Sequence, residues 1–194
     1  QITGDDGGAS IEPSISHYWC ELAELSLADQ QFLEASAHLT QAIGHDAQNP
    51  RVSLLQGAVA LQSGDAEAAI HFFERVLDQD PGYVSESLQS LEQAHQLQGS
   101  EARYRAYLER CLDQDPSISV VLALGRVIQS SEGDAALARF IANQMQKNPT
   151  LRGFIELIDL NLTDAEGALK QNLELLKQFA ERLIVDKSTY RCGG

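Results

Sequence analysis

Between residues 66 and 80 the apolar positions Ala69, Ile70, Phe73, Val76 and Leu77 fall at i, i+1, i+4, i+7 and i+8, the spacing of one buried helix face. Gly64-Asp65 stands before that stretch and Asp80-Pro81 after it. Glycine supplies the positive φ that stops a preceding helix, aspartate caps the next one, and proline cannot continue a helix already under way. The same punctuation returns along the chain. Pro81, Pro116 and Pro149 are 35 and 33 residues apart, and Gly64, Gly99 and Gly133 are 35 and 34 apart. A unit of about 34 residues therefore repeats, and each unit reads as a helical hairpin.

Five hairpins are predicted, at roughly 15–47, 50–81, 84–115, 118–148 and 151–184. Trp19, Leu22, Ala23 and Ser26 lead to Ala35, Leu39 and Ala42 in the first; Leu88 and Leu91 lead to Tyr104, Tyr107, Leu108, Cys111 and Leu112 in the third. Leu124 and Val127 with Leu137, Phe140 and Ile141 mark the fourth. The fifth, with Phe154, Leu157 and Ile158 before Leu169, Leu173, Leu176, Phe179 and Leu183, has no proline-marked exit, as suits a terminal repeat. The expected organisation is a tail over 1–14, about five repeats over 15–185, and a linker from 186 to 194.

A helix-turn-helix unit of this length with small residues at fixed places resembles the tetratricopeptide repeat. The second unit carries the resemblance best, with Gly57 and Ala69 at the small positions, Phe73 at the aromatic one and Pro81 at the exit. Small residues are needed because adjacent helices pack closely only where side chains are short. Glu92 and Tyr104 depart from that pattern. The resemblance implies an all-α fold, a right-handed superhelical solenoid of tetratricopeptide-type hairpins whose first helices line a groove. Groove candidates are then His17, Glu24, Arg51, Leu54, Glu86, Gln89, Gln93, Leu122, Arg126 and Gln129; a solvated polar face explains the same residues. The Lys and Asn clamp of chaperone-tail readers is missing, since Cys20, Leu54, Gln89 and Leu122 hold the fifth positions.

Charge sharpens this picture. The 194 residues carry 28 acidic and 14 basic side chains, a net charge of -14, and this repels nucleic acid and anionic lipid alike. The imbalance is local: residues 1–116 hold 5 basic and 19 acidic side chains, residues 117–194 hold 9 of each. A basic partner surface would meet the N-terminal part. No apolar run is long enough for a membrane span.

Chemistry is sparse. Phosphate loops, nucleophile elbows and zinc-protease motifs are all missing, so no enzyme activity is expected. His17, His38, His45, His71 and His95 are scattered without partners at ligand spacing and read as surface or half-buried helix residues. Cys20 and Cys111 read as small buried apolar residues. No cofactor is expected within this stretch. The basic segment from Lys187 ends in Cys192-Gly193-Gly194, where a C-x-x-C knuckle would be cut before its second thiolate; a linker thiol is the plainer reading.

A more specific resemblance rests on His17-Tyr18-Trp19-Cys20-Glu21-Leu22-Ala23, on Arg51-Val52-Ser53 with Gly57, and on Val84-Ser85-Glu86-Ser87-Leu88. Asn148-Pro149-Thr150-Leu151-Arg152 with Phe154, and Tyr190-Arg191-Cys192, complete it in order. Together they resemble the bacterial lipopolysaccharide assembly protein B family over nearly all of 11–192. The resemblance implies a longer protein with an N-terminal membrane anchor, a cytoplasmic repeat array at the inner membrane, and a rubredoxin-like domain binding iron or zinc. Cys192 would be its first metal ligand in the full-length protein only. The implied function is a non-enzymatic adaptor that restrains lipopolysaccharide synthesis by helping the membrane protease FtsH degrade the lipid A deacetylase, with contacts to lipopolysaccharide assembly proteins. A generic envelope scaffold is the alternative, and formation of a homodimer stays open.

Overall fold

The computed structural model describes residues 11–114, 116–162 and 166–189. Among these there are ten α-helices and no strand. They run α1 Glu12–Ala28, α2 Phe32–His45, α3 Pro50–Gln62, α4 Ala66–Gln79, α5 Val84–Gln98, α6 Glu101–Gln114, α7 Ile118–Glu132, α8 Asp134–Lys147, α9 Leu151–Leu162 and α10 Gly167–Thr189. Successive pairs form the hairpins that the 34-residue spacing predicts, and the fold class is the all-α helical-repeat type. Two compact units divide within α6, the first ending at Tyr107 and the second beginning at Leu108.

The turn chemistry is the predicted one. Gly64, Gly99 and Gly133 all take positive φ, at 91°, 61° and 85°. In the first hairpin, which has no glycine at this place, Gln30 takes the left-handed conformation at φ 58°. The Asp65 carboxylate accepts the Ala68 N–H at 2.9 Å and starts α4. At the far end, Asp80 accepts the Gly82 N–H at 2.9 Å within a 3-10 turn over Pro81–Tyr83.

Two boundaries differ from the sequence reading. Helix α1 begins at Glu12 rather than at 15, because Pro13 lies in the first turn, where its missing N–H has no intrahelical partner to lose. Helix α10 runs to Thr189, past the expected limit at 185, with neither proline nor glycine among residues 168–189 to stop it.

In the first unit Cys20, Ala23, Ala35, Leu39 and Ala42 close the core of α1 and α2, joined by Val52, Leu55 and Val59 of α3. Trp19 packs against this core, and its indole stacks on the His38 imidazole with ring centroids 5.5 Å apart. Gly57 lets α3 approach α4 so closely that a Cβ there would lie 2.6 Å from Cδ1 of the buried Phe73. Tyr104 fills a position where a small residue is usual; it is buried, its hydroxyl donates to the Leu88 carbonyl at 3.3 Å, and its ring meets His95.

His95 corrects the surface reading of the histidines. It is 1% exposed, with Nδ1 2.8 Å from the Ser100 hydroxyl and Nε2 without a hydrogen-bond partner. Burial pushes its pKa below 6.5, against the pull of Glu74, whose carboxylate is 3.8 Å from Nε2.

In the second unit Val121, Leu137 and Ile141 make the described core, with Leu112, Ile118, Phe140, Met145 and Leu157 packed on it. Gly125 sits where Gly57 sits in its own hairpin, and a Cβ there would lie 2.9 Å from Cδ1 of Leu137.

Candidate functional site

In the first unit the groove candidates His17, Glu24 and Arg51 come together. The chain arranges this through a buried hydrogen bond: Asn49 donates Nδ2 to the hydroxyl of the fully buried Ser16 at 3.0 Å, and its own carbonyl oxygen accepts the Arg51 N–H at 3.0 Å. Asn49 thus caps α3 and fastens its first turn to α1. Arg51 then reaches the face of α1, where Nη2 is 2.7 Å from Glu21 and 2.8 Å from Glu24, and Nη1 is 3.3 Å from His17 Nδ1. Burial opposes the charge of Arg51, but the hydrogen bonds and charges of Glu24 and Glu21 outweigh it and raise its pKa. Burial also lifts the Cys20 thiol to about 11, so this cysteine stays protonated beside the cluster.

A second ion pair ties α6 to α4, with Arg103 donating to Glu74 at 2.9 Å and to Glu67 at 3.0 Å. Both carboxylates hold its pKa up. Sequence reasoning did not single it out. Elsewhere in this unit Leu54 is half-buried on α3, while Glu86, Gln89 and Gln93 are exposed at i, i+3 and i+7 on one face of α5.

The second unit gathers Leu122, Arg126 and Gln129 on α7 around a cleft of about 250 Å³, completed by Arg152 and Glu156 of α9 over a floor of Gly125, Leu137 and Ile141. Gln129 also donates to Asp134 at 2.9 Å, bracing the start of α8. A cleft of about 340 Å³ in the first unit, between α2, α3 and α4, is lined instead by Ser36, Thr40, Gln56, Ser63 and Asp65 around Leu39 and Phe72. Among the described residues no group of three His, Cys, Asp or Glu could hold a metal ion. No described helix is long and apolar enough to cross a membrane. Cys192 lies outside the described residues.

Residues 26–94 match the tetratricopeptide repeat family. Lipopolysaccharide assembly protein B of Escherichia coli K12 is 31% identical over 179 residues, 92% of this chain and 46% of that protein. The chain is a tetratricopeptide-repeat relative of lipopolysaccharide assembly protein B. The Haemophilus influenzae protein of the same name is 27% identical over 190 residues, 95% of this chain and 48% of its own length. The chain thus spans about half the length of the curated relatives it matches. Among solved structures, pilF of Pseudomonas aeruginosa aligns with a TM-score of 0.58 at 15% identity, covering 88% of this chain and 78% of that one. The MamA RS-1 ArsTM double mutant aligns with a TM-score of 0.52 at 15% identity, covering 93% and 97%. At that identity they share the fold alone.

Of the residues that stand together in this assembly protein B relative, the sequence reading named His17, Glu24 and Arg51 in the first unit and Leu122, Arg126 and Gln129 in the second, but not Glu21, Arg152 or Glu156 beside them. Arg152 could have been found by register. It is the second residue of α9, as Arg51 is of α3, so any argument that selects Arg51 selects Arg152 as well.

Proposed function

We propose that this chain is the protein-binding part of a non-enzymatic adaptor that acts in lipopolysaccharide assembly. The observation that carries the reading is the match to assembly protein B over 92% of the chain, and the clefts against α3 and α7 supply surfaces suited to it. In the longer protein, held at the cytoplasmic face of the inner membrane by an anchor, the adaptor would bring FtsH and the lipid A deacetylase together and so limit lipopolysaccharide synthesis.

The physical basis is effective concentration. A repeat array that holds two proteins weakly, each on its own face, raises the local concentration of one beside the other without any chemistry of its own. Cys192 would give one thiolate to an iron or zinc site in the longer protein, which stabilises a neighbouring domain and takes no part in the binding described here.

The decisive experiment is the half-life of the deacetylase in the source bacterium with the full-length protein present and then depleted. A several-fold longer half-life on depletion supports the adaptor reading. An unchanged half-life leaves the chain an envelope scaffold with no link to proteolysis.

A further inference from the structure

The cleft of about 340 Å³ between α2, α3 and α4 has a counterpart one repeat on, and the hairpin turns fix the register between the two. The Asp65 N–H donates to the Ala60 carbonyl at 2.8 Å, and the Ser100 N–H to the His95 carbonyl at 3.0 Å. Ala60 and Asp65, which line the cleft, therefore match His95 and Ser100. Thr40, which also lines it, matches Glu74, each being the ninth residue of its helix; Ala68 matches Arg103, each being the third. In the later repeat this place is filled. His95 Nδ1 is 2.8 Å from the Ser100 hydroxyl, its Nε2 is 3.8 Å from Glu74, and Arg103 donates to Glu74 at 2.9 Å. With alanines at 60 and 68, the earlier repeat leaves it open.

The open cleft is rich in acceptors. The hydroxyl protons of Ser36, Thr40 and Ser63 go to the carbonyls of Phe32, Ser36 and Ala60 at 2.8, 2.9 and 3.0 Å, so oxygen lone pairs are what these groups have left for an occupant. Asp65 spends one carboxylate oxygen on the Ala68 N–H and forms no ion pair among the described residues. No Lys, Arg or His is among the described residues that line the cleft, and residues 1–116 carry 19 acidic side chains against 5 basic. Leu39, Val59 and Phe72 supply apolar lining, and an aromatic face is a surface on which a planar guanidinium stacks.

We propose that this cleft binds an arginine side chain of a partner protein segment, its guanidinium paired with Asp65, hydrogen-bonded to the hydroxyl oxygens and set against Phe72. This rests on the protein-binding reading above and names the partner chemistry of its first unit. Arginine is favoured over lysine because a planar fork of five N–H groups serves several acceptors at once, whereas an ammonium carries three and does not stack. Leu33 is exposed on the α2 face that holds Ser36 and Thr40, at i, i+3 and i+7, and seats an apolar neighbour of that arginine.

The test is fluorescence polarisation of the full chain with labelled ten-residue peptides of Leu, Ala and Arg, and the same peptides with citrulline, which keeps the shape of arginine without its charge. Binding about tenfold tighter for the Arg peptides is expected. Asp65→Asn keeps a capping side chain and should cost about fivefold or more. Asp78→Asn, an equal change of charge at an exposed position of the same helix, should cost less than about twofold. Ala60→His, which fills the cleft as the next repeat fills its own, should abolish binding with helical circular dichroism unchanged. Should that variant fail to fold, the citrulline and Asp65→Asn comparisons still decide. Equal binding of Arg and citrulline peptides, no binding of either, tighter binding of Lys peptides, equal losses in Asp65→Asn and Asp78→Asn, or full affinity in folded Ala60→His overturns the proposal. A deacetylase half-life that still lengthens on depletion, alongside failed peptide binding, removes this inference and leaves the adaptor reading standing; Arg-peptide binding with an unchanged half-life does the reverse.

Discussion

A methyl group added at position 57 falls against the buried Phe73 ring, whereas at 125 its one tight contact is with Cδ1 of Leu137, the free end of a flexible side chain, and Ile141 and Phe140 lie at ordinary contact distance. Alanine gains ~1 kcal/mol of helix propensity over glycine, and overpacking a tight site costs ~1–3 kcal/mol. Gly57→Ala should therefore lower stability by about 1–2 kcal/mol in urea denaturation, and Gly125→Ala should stay within ~1 kcal/mol of the unaltered chain. His95 gives a second outcome at this scale. Burial lowers its folded pKa below 6.5, so its neutral form stabilises the fold fully above that pH, and the stability falls as pH drops below 6.5 toward the folded value. Glu74, Arg103, Glu67 and Tyr104 are the charged and titratable groups that face the ring. Urea midpoints at pH 7.5 and 5.5 should differ more in the unaltered chain than in His95→Leu. Gly57 was legible in the sequence because a small residue at fixed repeat spacing has one use. The burial of His95 was not, since it depends on Tyr104 filling a neighbouring place that usually holds a small residue.

Helices α4 and α7 start from side-chain caps that can be removed singly. Asp65 caps α4 with a 2.9 Å bond, while Ser117 reaches the Val120 N–H at 3.4 Å in front of α7. Losing a good N-cap costs ~0.5–2 kcal/mol, so Asp65→Ala should shift the urea midpoint clearly and Ser117→Ala by less. The second, third and fourth hairpins were legible because a turn glycine and an exit proline punctuate them at a near-constant interval. The starts and stops of α1 and α10 were not, because a proline in a first turn and the lack of any breaker both read as loop signals when helix ends are sought by punctuation alone. The Asn49–Ser16 bond that fastens α3 to α1 was also out of reach: neither residue type announces a partner 33 positions away.

Charge acts on the whole molecule. At -14 the chain repels itself, and its ion pairs at Arg51 and Arg103 are partly exposed and individually worth ~0–1 kcal/mol. Salt screens the long-range repulsion more than these close contacts. Raising sodium chloride from about 10 mM to 200 mM, a range over which the Debye length falls from ~30 Å to below 10 Å, should therefore raise the melting temperature; a fall would mean that the ion pairs dominate. That the charge deficit is confined to residues 1–116 was plain in the sequence, whereas the cleft of the second unit was half seen, through Arg126, because Arg152 and Glu156 lie on a different helix. The stacking of Trp19 on His38 has an optical consequence. Trp19 is the one tryptophan of the chain, so tryptophan emission reports on the first hairpin alone. The emission should follow unfolding of the N-terminal hairpin separately from the circular dichroism of all ten described helices, and His38→Gln, which removes the ring stacked on the indole, should shift it while that circular dichroism stays unchanged.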